Sequence, residues 1–462
     1  EHGHAGGPQE ILRLVFVDFH GLPFLAVFGG LAPGPNMAGK RGAANGREPN
    51  PARRAGRLGQ TRRDGRNCRR FALCLPTSVK PLPTPAELAT ARALPRVVVD
   101  LEKIRHINTG LGRFSLHLGR ELLNAARGRF QPVFFLPRGA ERHFPTGGFD
   151  LIDAAEWKKE SLRRFVRPFV QPLLPQPAVD LWHVSNQASK YLPLDRRIPV
   201  VLTIHDLNFL HEGPPERRRW EIRRKLAAVQ RRIDRAAAVV TVSQFTADDV
   251  QSHLNLKGRP VHVVPNGLAP PPAASAVRPA FLTEGPFLLT VGNVLPHKNF
   301  HVLIGLMERL PGRRLVIAGK KATPYGAAIE REIARRGLGD RVIMPGEVSD
   351  GDRQWLYEHC EAFLFPSLAE GFGFPVLEAM QCGKPVFLSR ATSLPEIGGE
   401  NGFYFESYEP ESMARVFHAG MARVDNTAGF SDILRRYAAS FSWSSAAERY
   451  AEIFRTTLAS FT

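Results

Sequence analysis

Two glutamates, Glu370 and Glu378, stand eight positions apart in the stretch EGFGFPVLEAMQCGKPV. Paired carboxylates can act as acid and base on one bond, but eight helical residues span on the order of 12 Å, which is too far for that task. Pro375 is favourable in a first helical turn, so Glu370 should lie in the preceding loop and Glu378 inside the helix. We therefore expect the two carboxylates to bind different hydroxyl groups of one extended ligand. A helix cap would explain Glu378 alone.

A positive charge for the same ligand is available from Lys298 in VGNVLPHKNF. It lies near a predicted helix start, where its ammonium group and the helix dipole together can hold phosphate. A solvated surface lysine is the alternative. The loop glycines Gly371 and Gly373 add backbone N–H groups at a second helix start. These residues predict an anion site.

A histidine and two glycines follow other predicted strands. His205 ends the apolar run TIHDL, and we predict a functional role for it, with Asp206 orienting its ring or capping the next segment. Gly110 and Gly112 in INTGLGRF let the backbone approach a ligand closely, although a tight connection would need them as well. The run lacks the third glycine of a dinucleotide fingerprint, which counts against a nicotinamide enzyme.

The elements that must position these residues alternate regularly from Arg96 onwards. Short β-branched runs are separated by helical stretches on both sides of a Pro- and Ala-rich linker at 268–286, which is typical of parallel sheets covered by helices. We predict an α/β fold of two Rossmann-like doubly wound domains, residues 96–272 and 273–440, followed by a C-terminal helix at 441–462. Ligands of such sheets bind beyond the carboxyl ends of the strands, which predicts a site in the cleft between the domains.

Residues 1–95 differ from the rest of the chain in composition. They hold 14 Lys and Arg against 6 Asp and Glu, in a chain of 462 residues with net charge +18. The Gly-, Pro- and Arg-rich part at 38–70 has no structural period, so we interpret 1–95 as a disordered or non-native extension. The apolar patch at 11–32 contains Asp, His and Pro, which counts against a secretory signal. No aromatic residues interleave with the arginines, which counts against a nucleic-acid tail.

Cysteine content and hydropathy restrict the cellular setting. Four scattered cysteines are too few for a disulfide framework or a four-ligand metal site, which favours a reducing cytoplasm. No apolar run reaches about 18 residues, the length that a membrane-spanning helix needs.

Taken in order, the motifs resemble those of retaining glycosyltransferase family 4, which has the GT-B fold. They are INTGLGRF, TIHDL, VTVSQFT, VPNGL, VGNVLPHKN and PSLAEGFGFPVLEAMQCGKPV. The resemblance covers the chain from about Arg96 to its end, and Glu370 and Glu378 meet its most specific element, a Glu-x7-Glu motif. It implies transfer of mannose or a similar hexose from a nucleotide-sugar to a glycan or lipid-linked acceptor, with retained anomeric configuration, in surface polysaccharide or lipopolysaccharide synthesis. GDP-mannose or a UDP-sugar would be the substrate, and no cofactor is implied.

The same resemblance implies a role for each matched residue. Glu378 would bind the ribose hydroxyls, Glu370 the donor sugar, and Lys298 the diphosphate. Val348 would lie near the base, and Gly110 and Gly112 would allow the first domain to close over the donor. The implied catalytic residues are His205 and Glu370, and the implied donor-binding residues are Gly110, Gly112, Asn293, Lys298, Val348, Gly371, Phe372, Gly373 and Glu378.

One position departs from the family pattern. Many members carry arginine where this chain has Asn293, and an amide brings no charge to the diphosphate. Lys298 and the helix amides would then carry more of the leaving-group stabilisation. No Asp-x-Asp site follows a predicted strand, so we expect metal-independent activity.

The acceptor side is marked by two basic helical stretches, 157–175 and 216–237. In the second, four apolar residues recur at helical spacing opposite a dense arginine face, namely Ile222, Leu226, Val229 and Ile233. The pattern predicts contact with an anionic membrane surface and a lipid-linked acceptor, and hence a cytoplasmic protein that is peripheral on the inner face of the cytoplasmic membrane. A solvated basic face over an ordinary core stripe is the alternative.

Two other classes of protein compete with this interpretation. One is a non-catalytic nucleotide- or sugar-binding GT-B protein, against which the complete set of Glu370, Glu378, Lys298 and His205 counts. The other is a basic nucleic-acid-binding protein, whose support lies mostly in residues 1–95. We expect no specific nucleic-acid partner.

Overall fold

A first parallel sheet is built around β1 (Arg96–Asp100), whose three valines are fully buried. In the computed structural model its seven strands, counted over the described residues, run in the order β3-β2-β1-β4-β5-β6-β7. Parallel sheets are covered on both faces, which explains why most of these strands are continuous apolar runs. The other strands are β2 (Gln131–Leu136), β3 (Asp150–Asp153), β4 (Leu181–Val184), β5 (Val200–Ile204), β6 (Ala238–Thr241) and β7 (Val261–Val263).

A second parallel sheet follows the linker. Its described strands run in the order β10-β9-β8-β11-β12-β13. They are β8 (Phe287–Val291), β9 (Arg314–Ala318), β10 (Val342–Gly346), β11 (Ala362–Phe365), β12 (Val386–Leu388) and β13 (Phe403–Tyr404). In both sheets the order reverses beside the first strand, at β1/β4 and at β8/β11. Loops at such a switch point form the crevice in which ligands of doubly wound sheets bind.

Eleven α-helices of the described residues pack on these sheets. They are α1 (Gly110–Ala125), α2 (Arg219–Ile233), α3 (Gln244–His253), α4 (Val302–Arg309), α5 (Pro324–Arg335), α6 (Asp350–His359), α7 (Phe374–Gln381), α8 (Leu394–Gly398), α9 (Pro410–Asn426), α10 (Phe430–Ala439) and α11 (Trp443–Ala459). Within the described residues, no helix combines the length and the apolarity that a membrane crossing requires.

The structure describes residues 94–155, 179–193, 195–213, 218–273 and 277–461, all of which belong to one contact unit of the chain. The predicted extension up to residue 93, with its nucleic-acid alternative, lies outside the described residues. The basic stretch at 157–175 lies outside them as well.

The C-terminal helix α11 lies against the first sheet, although it follows the second sheet in sequence. Trp443, Tyr450 and Phe454 belong to the same apolar cluster as Val97 and Phe114. Burial of these large rings stabilises the contact, since each aromatic side chain removes a large apolar area from water. The end of the chain is therefore part of the core that supports α1.

The predicted two-sheet GT-B architecture is confirmed, and two edge strands extend it. The strand β3 escapes prediction because its edge position leaves it partly solvated, with Leu151 50% exposed, so it shows no continuous apolar run. The strand β13 is only two residues long, which is too short to give a periodic pattern.

Candidate functional site

The loop between β11 and α7 holds the first motif glutamate. Gly373 has a φ of 115°, a left-handed conformation that favours glycine, and it forms the N-cap of α7 with Pro375 in the first turn. The Glu370 N–H donates to the Thr392 hydroxyl at 2.9 Å, and the Ser393 hydroxyl lies 3.0 Å from the carbonyl oxygens of Glu370 and Phe372. The chain after β12 thus fixes the position of this loop.

Lys298 and Glu370 form an ion pair where two neighbouring strands end. Lys298 Nζ lies 2.5 Å from Glu370 Oε1, and the two side chains are only 15% and 12% exposed. Lys298 belongs to a 3-10 turn after β8, and β8 pairs with β11, the strand that precedes Glu370. The Leu368 N–H donates to the His297 carbonyl at 2.7 Å, which joins the two loops. This ion pair therefore follows directly from strand pairing inside the second domain.

The second glutamate, Glu378, is paired across the cleft. The guanidinium group of Arg113, in the first turn of α1, donates to Glu378 Oε1, while the Tyr357 hydroxyl donates to Oε2 at 2.9 Å. Burial, and after it the charge of Glu378, raises the pKa of Tyr357 well above its usual value, so the hydroxyl stays protonated and remains a donor. Both carboxylate oxygens of Glu378 are thus engaged, one from each domain.

A cavity of about 320 Å³ opens beside the Arg113–Glu378 pair. It is lined from the first domain by Asn108 and Arg113, and from the second by α6 and α7. Arg353 on α6 is paired with Asp350 at 2.9 Å. The volume is within the range of small-ligand sites, at about 300–1,000 Å³. The cavity therefore offers room for part of a ligand at the Glu378 end of the motif.

His205 lies at the end of β5, beside the motif loop. It is 8% exposed, and its Nε2–H donates to the Ser185 carbonyl at 2.8 Å, since a carbonyl can only accept. Burial lowers the pKa of His205 to about 4, so the ring is neutral near pH 7. Next to it, burial raises the pKa of Asp206, and the nearby carboxylates of Glu212 and Glu370 act in the same direction.

Gly371 brings the motif loop into contact with His205. A Cβ atom at Gly371 would lie 2.2 Å from the His205 carbonyl oxygen and 2.8 Å from Asp206 Cβ, so only glycine permits this approach. The Ser243 hydroxyl donates to the Gly371 carbonyl at 2.9 Å. The structure thus brings together His205, Glu370 and Lys298, which the sequence places on three separate segments.

The glycines of the first domain have different surroundings. A Cβ atom at Gly112 would lie 2.0 Å from the His106 carbonyl oxygen, so this glycine is needed for packing within its own segment. Gly110 instead has the Phe374 ring at 3.9 Å from its Cβ position, and therefore faces the second domain. Contact of either glycine with a donor stays a prediction.

Three further predicted residues surround the motif without joining the ion pairs. Asn293 is exposed after β8, and Val348 is half-buried between β10 and α6. The Phe372 ring is buried against Phe374 and Phe441, so only its backbone is left for a ligand. Their roles in donor binding stay predictions.

Sequence reasoning missed Arg113 and Tyr357. Arg113 contacts a residue 265 positions away, and no local pattern reveals such a partner. Its position at a helix start beyond β1, where functional residues collect, was the available signal. Tyr357 gave no signal, because a buried tyrosine on a helix resembles any core residue.

The described residues also bear on metal binding. Among them, no group of three or more His, Cys, Asp and Glu side chains is arranged to hold a metal ion.

Two family profiles match the chain on either side of the linker. The profile described as Glycosyltransferase Family 4 matches residues 108–270, and the one described as Glycosyl transferases group 1 matches residues 276–419. The first profile includes Arg113 and His205, and the second includes both motif glutamates.

Curated relatives and solved structures agree with these profiles. O-antigen chain mannosyltransferase B of Escherichia coli is 27% identical over 69% of this chain and 88% of its own length. The chain spans only 30% of the longer mannosyltransferase WbdA of the same organism, at 29% identity over 49% of this chain. Sucrose-phosphate synthase of Thermosynechococcus elongatus superposes with a TM-score of 0.59, at 19% identity over 80% of this chain and 100% of its own. HepE of Anabaena, in complex with UDP-glucose, superposes with a TM-score of 0.55, at 19% identity over 78% of this chain and 99% of its own. The chain thus belongs to the GT-B glycosyltransferases of the family 4 type.

Proposed function

We propose that this glycosyltransferase moves a hexosyl group, preferably mannose, from a nucleoside diphosphate to a hydroxyl group of a glycan or lipid-linked acceptor. The observation that carries the proposal is the pairing of each motif glutamate with a cation, Glu370 with Lys298 and Glu378 with Arg113. Carboxylates accept hydrogen bonds from sugar hydroxyls, and the cations attract phosphate. The name of the Escherichia coli relative supports mannose and polysaccharide or lipopolysaccharide synthesis, and the ligand of HepE keeps a UDP-sugar as the second candidate donor.

The chemical task is departure of a diphosphate from an anomeric carbon. Lys298 is nearly buried, so its charge acts on a leaving phosphate through little water. In other enzymes, removal of one preorganised hydrogen-bond donor to the transition state lowers kcat by about 10²- to 10³-fold. We assign leaving-group stabilisation to Lys298 and orientation of the donor sugar to Glu370.

We further propose that the reaction retains the anomeric configuration. The Glu370 carboxylate accepts a hydrogen bond from Lys298. This pairing makes it a weaker nucleophile, so we assign it to binding of sugar hydroxyls and not to nucleophilic attack. His205 is neutral near pH 7, and with Nε2–H donating to Ser185 its Nδ1 is the ring's acceptor. The acceptor hydroxyl would then attack from the face that the diphosphate leaves.

Metal-independent activity without a cofactor is part of the same proposal. It rests on the two cations at the motif, which can neutralise phosphate charge directly. Activity in excess EDTA equal to that in added Mg²⁺ or Mn²⁺ is the expected result, and activity that returns only with a divalent metal would contradict it.

A transfer assay with the full chain tests the proposal. GDP-mannose, UDP-glucose and UDP-galactose are offered with mannosyl and lipid-linked acceptors, and product linkage is read by NMR. We expect an α-linked product from GDP-mannose, with Lys298→Ala as the control of strongly reduced activity. A β-linked product would contradict retention, and no transfer or donor hydrolysis from any of these donors would contradict the activity.

A second proposal concerns the acceptor side, where α2 could contact an anionic membrane from the cytoplasm. Trp220 is 73% exposed with the Arg224 guanidinium 5.2 Å from its ring centre, and Arg219 and Arg223 are exposed. Aromatic rings and arginines on one helix are suited to a lipid headgroup region. By contrast, Arg232 donates to carbonyls inside the fold and is structural.

Vesicle sedimentation tests this second proposal. The full chain should sediment with vesicles of anionic phosphatidylglycerol at low salt, and Arg219→Gln with Arg223→Gln should weaken that binding. The matched control removes the same charge from the second domain at Arg331 and Arg415. Equal binding by both double variants would contradict a role of α2.

A further inference from the structure

The guanidinium group of Arg113 has more hydrogen-bonding capacity than its contact with Glu378 uses. A guanidinium carries five N–H donors, and among the described residues only Nη1 of Arg113 donates to a protein acceptor. Its side chain is 27% exposed and lines the 320 Å³ cavity. Glu378 does not depend on Arg113 alone, because the Tyr357 hydroxyl already donates to its other oxygen. Arg113 can therefore take a second acceptor without leaving the glutamate unpaired.

With Arg113 in place, the charges of the cavity wall balance, so the wall can accept an anion. Arg113 and Arg353 supply two positive charges to its wall, and Glu378 and Asp350 supply two negative charges. Arg353 is already paired with Asp350 on the same helix. Without Arg113 the wall would carry an excess of negative charge and would repel phosphate. Of these two cations, Arg113 comes from the first domain and Arg353 from the second.

We propose that Arg113 binds the diphosphate of the donor. The inference rests on the proposed function, since it takes Glu378 as the group that binds the ribose hydroxyls. In a nucleoside diphosphate the phosphates begin one furanose ring away from those hydroxyls, and Arg113 already touches the same carboxylate. A guanidinium also matches phosphate oxygens with two parallel N–H donors.

The consequence is a division of the phosphate contacts between the domains. Lys298 supplies a charge from the second domain, and Arg113 supplies one from the first. On donor binding, the direct contact between Arg113 and Glu378 would be replaced by contacts of both side chains with the ligand, one from each domain. A nucleoside, which lacks phosphate, would gain nothing from Arg113.

Titration calorimetry with nucleosides and nucleoside diphosphates tests the inference. The full chain and the variants Arg113→Gln, Arg113→Lys and Arg127→Gln are titrated with guanosine, GDP, uridine and UDP. Arg127 lies just beyond α1, is exposed and controls for loss of one charge. We expect Arg113→Gln to weaken diphosphate binding at least about tenfold, the usual weight of a charged hydrogen bond, with nucleoside affinity unchanged or higher. Arg113→Lys should recover part of the loss, and Arg127→Gln should bind as the unaltered chain does.

Each other outcome overturns the inference in a distinguishable way. Parallel losses for nucleoside and diphosphate would make Arg113 a structural tie between the domains. Unchanged diphosphate affinity in Arg113→Gln would remove it from the donor site. Absence of binding by the unaltered chain to all four ligands would overturn the proposed function, and the inference with it.

Discussion

The two ion pairs of the motif differ in where their partners come from. Lys298 and Glu370 both belong to the second domain and meet because β8 and β11 are neighbours. Arg113 and Glu378 belong to different domains and meet only when α1 lies against α7. The first pair is thus fixed by the fold of one domain, while the second also reports how the domains are arranged. This difference suggests that Lys298 and Glu370 serve the reaction itself, whereas Arg113 and Glu378 serve donor binding.

Removal of Lys298 should give the largest effect. Lys298→Ala removes a nearly buried charge from the proposed leaving group, and we expect kcat/KM to fall by about two to three orders of magnitude. Steady-state kinetics with the preferred donor measure the change. The matched control is Lys320→Ala, which removes an exposed lysine after the next strand. Equal activity of the two variants would separate Lys298 from the chemistry.

Gly371→Ala should give the second-largest effect, because it disrupts the contact between the domains. The new Cβ atom would lie 2.2 Å from the His205 carbonyl oxygen, well inside contact distance. A displacement of about 1 Å can cost about 100-fold in rate, so we expect a loss of that order in kcat. Gly339→Ala is the control, since nothing lies within 4 Å of its Cβ position. Full activity of Gly371→Ala would show that this approach is dispensable.

Substitution of the two motif glutamates should give smaller effects, on KM for one and on kcat for the other. Glu378→Gln keeps the shape but loses the charge, and we expect a donor KM raised about tenfold with kcat nearly unchanged. Glu370→Gln should instead lower kcat, because this glutamate is proposed to orient the reacting sugar. Equal changes in kcat and KM for both variants, with lower melting temperatures, would assign both carboxylates a structural role only.

The smallest expected effect is on the stability of the first domain and involves the buried residue His183. His183 is fully buried, and its Nε2 lies 2.9 Å from the Thr203 hydroxyl, which in turn lies 2.9 Å from the hydroxyl of Tyr450 on α11. Burial lowers the pKa of His183 to about 3, from an ordinary 6.5. Its contribution to stability is therefore complete above pH 6.5 and is lost as the pH falls towards 3.

Comparison of the unaltered chain with His183→Gln measures that contribution. We expect the stability difference between the two to shrink with a slope that approaches about 1.4 kcal/mol per pH unit below pH 6.5, the value for one proton. Urea unfolding at pH 7, 6 and 5 provides the free energies. Titrating groups that do not interact with His183 are common to both proteins and cancel, whereas His205, whose charge also lowers the pKa of His183, cancels only in part. A difference that does not change with pH would show that His183 binds its proton equally in both states.

Much of this architecture is readable from the sequence, and the limits have physical causes. Buried parallel strands are continuous apolar runs, so the central strands and the placement of Lys298, Glu370 and His205 at strand ends follow from local pattern. The edge strand β3 is half solvated and gives no such run. The partner of Glu378 depends on domain arrangement, which no local periodicity encodes. Arg113 was visible as a residue at a helix start, but its contact was not.

Donor binding by the full chain is the most direct test of the central claim that both ion pairs receive one nucleotide-sugar. Calorimetric titration with GDP-mannose and with UDP-glucose compares the unaltered chain, a Lys298→Ala/Glu378→Gln double variant and the Lys320→Ala control. The account predicts saturable binding of one donor by the unaltered chain and the control, and binding at least about tenfold weaker in the double variant. Undiminished binding by the double variant, or none by the unaltered chain, would contradict it.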